Sequence, residues 1–123
     1  MGLFSWLSPS RVDENGDANA IPTKTQCFYI EGFLTCSYFT NAVRVADMLT
    51  ANYPHIKVDV SAYVKEQWKE RAEELQQEFA TDHKTSPFIY EGCSTENQTL
   101  IGGYTDFAKR VKETYRLNNI PLD

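Results

Sequence analysis

The spacing of apolar residues changes several times along this chain, and short apolar runs mark four predicted strands. Runs rich in strand-forming residues occupy residues 26–31, 87–92 and 99–101. A fourth run, at residues 55–60, alternates between apolar and polar positions, which is typical of a half-buried strand. Proline starts the run at 87–92, a position that a strand tolerates.

Three longer segments instead carry apolar residues at helical spacing. Their stripes are Phe39, Ala42, Val43, Ala46 and Leu49 in the first, Val64, Trp68, Ala72, Leu75 and Phe79 in the second, and Phe107, Val111 and Tyr115 in the third. Pro54 is expected to end the first helix, because it disfavours the helical conformation of Tyr53. Ser61 is the predicted N-cap of the second helix, and Trp68 is predicted to lie in the core.

In chain order these elements give β-α-β-α-β-β-α, an α/β fold in one domain. The first two strands are expected to be parallel, because a helix connects them, and the last two antiparallel, because a short turn connects them. The result is a four-stranded mixed sheet flanked by helices. The domain is predicted over residues 23–118, between a flexible N-terminal tail at 1–22 and a short C-terminal tail at 119–123.

Composition narrows the classes of protein that fit this chain of 123 residues. The net charge of −5 and the lack of a Lys/Arg cluster argue against a nucleic-acid partner. Three scattered cysteines do not make a secreted disulfide scaffold, so a reducing compartment, the cytoplasm, is expected. The N-terminal tail has an alternative interpretation, as a short apolar segment that binds a partner or a membrane surface. Its apolar residues are Leu3, Phe4, Trp6 and Leu7.

Cys36 lies where the first strand gives way to the first helix. Backbone N–H groups and the helix dipole favour a thiolate at a helix start, and the thiolate is the nucleophilic form of cysteine. Two interpretations stand side by side from position alone: a reactive thiol, or a small buried residue, since free cysteines are commonly buried.

Two further segments are expected at the same end of the sheet as Cys36. A cis bond before Pro87 would hold the backbone of Ser86 beside the cysteine, where it could pair with a peptide. The segment "GGYTD" opens the last helix, and the N–H groups of Thr105 and Asp106 could bind a carboxylate there. The three segments together suit a small peptide that carries an amine, carboxylates and a thiol.

These segments, "CSYF" at 36–39, "TSP" at 85–87 and "GGYTD" at 102–106, resemble the motifs of the glutaredoxin family, which has the thioredoxin fold. The resemblance covers about residues 24–116 and implies a glutathione site, with glutathione as co-substrate. Cys36 would form the mixed disulfide with glutathione. The glutathione-binding residues implied are Tyr38, Lys84, Thr85, Ser86, Pro87, Gly103, Tyr104, Thr105 and Asp106, with Lys84 facing the glycine carboxylate, Ser86 the cysteinyl backbone, and Thr105 and Asp106 the γ-glutamyl end.

The chain departs from the family pattern at two places around Cys36. Phe39 stands where a resolving cysteine or serine is usual, and "EGFLT" at 31–35 carries Glu31 and no lysine. Without a second thiol, a monothiol route remains, in which the substrates are glutathionylated proteins or small mixed disulfides. The alternatives are a weak or inactive module that binds glutathione or a protein partner, and a glutathione-assisted iron–sulfur cluster carrier. No other metal site is expected.

The two remaining cysteines, Cys27 and Cys93, start the first strand and end the third. We expect them at the edge of the sheet opposite Cys36, as two ordinary thiols, with a distal redox pair as the alternative. The two histidines, His55 and His83, are expected to be solvated loop residues.

Overall fold

The computed structural model describes residues 23–117, and these form seven helices and strands. They are β1 (Gln26–Phe33), α1 (Ser37–Asn52), β2 (Ile56–Tyr63), α2 (Lys65–Phe79), β3 (Phe88–Glu91), β4 (Thr99–Gly102) and α3 (Tyr104–Tyr115). The predicted order β-α-β-α-β-β-α is confirmed. The predicted tails, at 1–22 and 119–123, lie outside the described residues.

The strands form one four-stranded mixed sheet in the order β2-β1-β3-β4. β1 is parallel to β2 and antiparallel to β3, and β3 is antiparallel to β4. The predicted sheet and its strand directions are therefore confirmed. A register irregularity between Ile89 and Tyr90 interrupts the β3–β4 ladder.

Helices cover both faces of the sheet. α1 and α3 pack on one face, around a core that includes Phe28, Ile30 and Ile89. α2 packs on the other face against Phe88 and Tyr90. The predicted stripe of α3 is fully buried, and that of α1 is buried apart from Val43, which lies at its margin while Val45 takes a buried place.

The start of α2 differs from the prediction. Ser61 lies in β2, which continues to Tyr63, and the N-cap of α2 is Val64. Val64 is 47% exposed and leaves the apolar stripe that Trp68, Ala72 and Leu75 form in the core. β2 is an edge strand, and Ile56 is its only buried residue.

The other element ends agree with the sequence to within a few residues. α1 ends at Asn52, and the N–H of its C-cap residue Tyr53, directly before Pro54, donates to the Leu49 carbonyl. β3 begins at Phe88 rather than at Pro87. Within residues 23–117, no helix is long and apolar enough to cross a membrane.

Candidate functional site

Cys36 is the N-cap residue of α1, as its position at the strand-to-helix junction predicts. Its backbone is extended, with φ −86° and ψ 120°, and no side chain caps the helix. The Cys36 N–H donates to the Phe33 carbonyl at 3.1 Å, and its own carbonyl accepts from the Thr40 N–H at 3.1 Å. The thiol is free and partly exposed. It therefore stands at the positive end of a 16-residue helix, within reach of solvent.

Ser86 connects Cys36 to the end of β1. The Ser86–Pro87 peptide bond is cis. The Cys36 thiol donates to the Ser86 carbonyl, with the sulfur 3.4 Å from the oxygen, and the Phe33 N–H donates to the Ser86 hydroxyl at 3.1 Å. These two contacts fix the segment before β3 beside the start of α1, although it lies some 50 residues further along the chain.

A groove of about 240 Å³ runs between this segment and the start of α3. Its lining residues are Tyr38, His83, Thr85, Ser86, Pro87, Gly103, Tyr104, Thr105 and Asp106. The structure thus brings together the candidate residues of three separate segments, with Cys36 joined to them through Ser86. Tyr38 is 51% exposed, and its ring centroid lies 6.2 Å from that of Tyr104.

Lys84 lies apart from this groove. It lines a second, more apolar groove of about 450 Å³ on the α2 side of the molecule. The residues of that groove are Phe33, Lys65, Trp68, Lys69, Ala72, Glu73, Gln76, Lys84 and Thr85. Thr85 lines both grooves and separates Lys84 from the first one along the chain.

The start of α3 closes the far end of the first groove. The Gly103 N–H donates to Asp106 Oδ2 at 3.3 Å, so the carboxylate caps its own helix. Gly102 has φ +131°, a conformation that other residues rarely adopt, and a Cβ there would collide with the Asp106 carboxylate. The turn therefore requires glycine at position 102 and holds Asp106 at the groove.

His83 is a groove residue that the sequence prediction missed. The sequence predicts a solvated loop residue, but His83 is only partly exposed, and its Nε2 lies 3.2 Å from the Pro87 carbonyl oxygen. Its ring packs edge-on against Phe88, with the centroids 5.4 Å apart. The sequence did offer one indication of this position, because His83 lies two residues before the "TSP" segment.

Phe39 takes no part in either groove, because its side chain is turned into the core and is 5% exposed. Its ring lies against Gly32, where a Cβ would collide with both the Phe39 ring and the Ser86 hydroxyl. The position three residues after Cys36, where the family resemblance implies a cysteine or serine, is therefore filled by a buried aromatic ring beside Ser86.

Glu31 points to the α2 face of the sheet, whereas Cys36 packs beside the core on the α1 face. It is 3% exposed, and Arg71 donates to both carboxylate oxygens, at 2.8 and 3.0 Å. The hydroxyls of Tyr63 and Tyr90 also donate to it. Burial alone would raise the pKa of Glu31, but the hydrogen bonds from Arg71, Tyr90 and Tyr63 lower it below its ordinary value.

Cys27 and Cys93 form a disulfide, so the expectation of two ordinary thiols is wrong and the alternative of a distal pair describes them. Their Cα atoms are 5.0 Å apart, because β1 and β3 are antiparallel neighbours and place both cysteines at the same edge. As expected, that edge is opposite Cys36.

Solved structures similar to this chain are glutaredoxins. Reduced Escherichia coli glutaredoxin is 28% identical with a TM-score of 0.58, and covers 74% of this chain and 99% of its own. A second E. coli glutaredoxin structure is 28% identical with a TM-score of 0.53 over the same shares. Francisella tularensis glutaredoxin 1, complexed with cacodylate, shares the fold at 17% identity and a TM-score of 0.57, covering 75% of this chain and 99% of its own.

These likenesses support the glutaredoxin resemblance and the thioredoxin-like fold. No curated protein sequence matches the chain. One family does match by its sequence model, over residues 27–121, and is described as the putative malate dehydrogenase 1B N-terminal domain. Because that match spans most of the chain, the protein belongs to the family of the putative malate dehydrogenase 1B N-terminal domain.

Proposed function

We propose that this chain is a thiol–disulfide oxidoreductase that works through Cys36 alone and takes glutathione as co-substrate. The observation that carries the proposal is the partly exposed Cys36 thiol at a helix start, next to Ser86, which lines a groove of about 240 Å³. The likeness to glutaredoxins in both fold and sequence supports the same chemistry.

The groove offers the contacts that a glutathione peptide needs. Thr85 and Ser86 line the groove directly before the cis bond to Pro87, and their backbone groups would pair with a peptide laid alongside. At the far end, the first turn of α3 favours a carboxylate through its N–H groups and dipole. Asp106 at the same turn suits an amine, and it would then share its oxygen with the Gly103 N–H.

The proposed reaction is exchange in two steps. The Cys36 thiolate attacks the glutathione sulfur of a mixed disulfide, and the substrate thiolate leaves and takes a proton. A second glutathione thiolate then attacks the glutathione sulfur held on Cys36, which releases oxidised glutathione and restores Cys36. Glutathionylated proteins and small mixed disulfides are the substrates of this route, and the cytoplasm is the compartment that supplies reduced glutathione.

The buried Phe39 explains why a single thiol would carry the reaction. A disulfide needs Cα atoms within about 7 Å, and the residue one turn into α1 from Cys36 has no sulfur to offer. Cys27 and Cys93 are paired with each other at the opposite edge of the sheet. Glutathione therefore supplies the second thiol.

A second candidate is a module that binds glutathione or a partner without turnover. The Cys36–Ser86 hydrogen bond favours it, because only the protonated thiol can donate that bond. The stretch at 31–35 also places no lysine beside the cysteine. Under this alternative the groove is retained while the thiol stays unreactive.

The two candidates are separated by one comparison, the turnover of a glutathionylated peptide by wild type, by Cys36→Ser and by Cys27→Ser/Cys93→Ser. The oxidoreductase predicts activity in wild type, its loss in Cys36→Ser, and its retention in the double variant. Equal activity in wild type and Cys36→Ser overturns the oxidoreductase. No activity in wild type, together with amide shifts of Gly103 and Thr105 on adding glutathione, supports the binding module.

A further inference from the structure

The Cys27–Cys93 disulfide joins two segments that the sheet already holds together. The β1–β3 ladder runs to the pair Phe28 and Glu91, and the Gly92 N–H donates to the Cys27 carbonyl at 2.9 Å just beyond it. Neither cysteine belongs to the two core clusters. Breaking the sulfur–sulfur bond therefore uncovers no core side chain and removes no rung of the ladder.

The disulfide is open to solvent on the Cys93 side. Cys93 is exposed in the loop after β3, whereas Cys27 is only partly exposed. A cavity of about 330 Å³ lies against the bond, and its size falls at the lower end of small-molecule sites. Its lining residues are Thr25, Gln26, Cys27, Glu91, Gly92, Cys93, Asn97 and Thr99.

The charge of this cavity does not oppose an incoming thiolate. Glu91 is the charged residue that lines it, and Arg110 pairs with that carboxylate at 2.7 Å. The remaining polar groups belong to Thr25, Gln26, Asn97 and Thr99, which can donate hydrogen bonds to a peptide-like molecule. The surroundings therefore suit a small polar thiol better than an apolar one.

We propose that Cys27 and Cys93 form a second thiol–disulfide exchange site, at which a small peptide thiol of the glutathione class attacks Cys93. The attacking thiolate forms a bond to the Cys93 sulfur, the Cys27–Cys93 bond breaks, and Cys27 leaves as a thiolate that takes a proton. A second thiol attacks the sulfur of the first on Cys93 and releases Cys93. Two thiols are thereby oxidised to one disulfide, and the protein disulfide gains two electrons and two protons.

The direction of attack follows from exposure. An external thiolate reaches Cys93, the more exposed residue of the two, first, and Cys27, directly before the Phe28–Glu91 pair, is the leaving group. In the reverse direction, Cys27 resolves a mixed disulfide formed on Cys93 and releases the small thiol. This site needs neither Cys36 nor the groove beside it.

The test uses the full chain with Cys36→Ser, so that Cys27 and Cys93 are the remaining cysteines. The oxidised protein is equilibrated with glutathione buffers of increasing reducing strength, quenched with acid, alkylated and analysed by mass spectrometry. We expect two alkyl groups per chain to appear together along the series, while circular dichroism keeps its native form. A disulfide that opens only after a denaturant is added contradicts the proposal.

Two further variants check which sulfur is attacked. In Cys27→Ser/Cys36→Ser no resolving thiol is left, so oxidised glutathione should leave one glutathione on Cys93. In Cys93→Ser/Cys36→Ser the adduct on the less exposed Cys27 should form several times more slowly. Equal rates of adduct formation overturn the assigned direction, and no adduct on Cys93 overturns the site. Because every variant lacks Cys36, these results are independent of the oxidoreductase proposed above.

Discussion

Gly32 is the residue on which the packing below Ser86 depends. A Cβ at this position would meet both the Ser86 hydroxyl and the Phe39 ring, neither of which is a long flexible side chain. The Phe33 N–H that follows Gly32 also holds the Ser86 hydroxyl. The lack of a side chain on Gly32 and the hydrogen bond from the Phe33 N–H thus fix the position of Ser86. They also fix the Ser86 carbonyl, which accepts from Cys36.

We expect Gly32→Ala to lower the free energy of unfolding by about 1–3 kcal/mol, because added atoms overpack a filled site. Urea unfolding measures this loss. Gly32→Ala/Phe39→Leu serves as the matched control, since the smaller side chain removes the ring from the crowded place. If the double variant is as unstable as the sum of its two single variants, the ring is not the source of the strain.

Glu31 gives a prediction of stability against pH. Its pKa is lowered in the folded state from an ordinary value of 4.5. Because the pKa of Glu31 is lower in the folded than in the unfolded state, its ionised carboxylate stabilises the fold fully above the ordinary pKa. This stabilisation is lost as the pH falls through the pKa of the folded state. Urea unfolding across the acid range should show wild type losing its advantage over Glu31→Gln below about pH 4.5.

Near neutral pH the same substitution, Glu31→Gln, should cost about 3 kcal/mol, because it removes one partner of a buried ion pair. Glu74→Gln is the matched control, since Glu74 also pairs with Arg71, at 3.0 Å, but its side chain is 61% exposed. That change should cost less than about 1 kcal/mol. Equal losses in the two variants would contradict a special role for the buried carboxylate.

At the scale of elements, α2 begins with an uncapped turn. Val64 has the extended backbone of an N-cap residue, with φ −73° and ψ 155°, but its side chain makes no cap hydrogen bond. Its exposure leaves room for a polar group, and Lys65 follows as the first helical residue. A side-chain acceptor here would satisfy an N–H group of the first turn.

Val64→Asp should therefore raise the free energy of unfolding by about 1 kcal/mol, measured by urea or thermal unfolding. Val64→Ala is the control, because it removes the exposed valine without adding an acceptor. A gain in the alanine variant equal to that of the aspartate variant would assign the effect to lost apolar exposure rather than to capping.

The case of Val64 also marks where sequence patterns fail. Its place at helical spacing from Trp68 extended the predicted stripe by one turn, but the chain pairs with β1 as an edge strand up to Tyr63, directly before Val64. Spacing alone cannot separate an apolar residue that starts a helix from one that ends a strand. α1 and α3 were predicted correctly because Pro54 and the glycine pair at 102–103 mark their boundaries.

The sequence predicts those groove residues that lie in short motifs with a defined backbone conformation. Ser86, Pro87 and Gly103 were found because their neighbours in sequence identify them. The Glu31 network was not, since Arg71 lies 40 residues away and nothing local to either residue indicates the pair. The Cys27–Cys93 bond was missed because the expected compartment outweighed the strand pairing that brings the two together.

At the scale of the whole molecule, the disulfide closes a loop with a sequence separation of 66 residues. Constraining a loop of this length in the unfolded chain stabilises the native state by up to about 4 kcal/mol. We expect Cys27→Ser/Cys93→Ser to be less stable by this order in urea unfolding under oxidising conditions. Under reducing conditions the difference should disappear, because wild type then lacks the same constraint. A difference that persists after reduction would point to packing of the cysteines instead.

The length of β1 sets the distance between Cys36 and the Cys27–Cys93 disulfide. Its eight residues span about 26 Å at the usual rise per residue, and Cys27 and Cys36 lie near opposite ends of that span. The two proposed exchange sites are therefore separated by about the length of the central strand, and the number of glutathione molecules trapped per chain tests whether both sites are occupied at once.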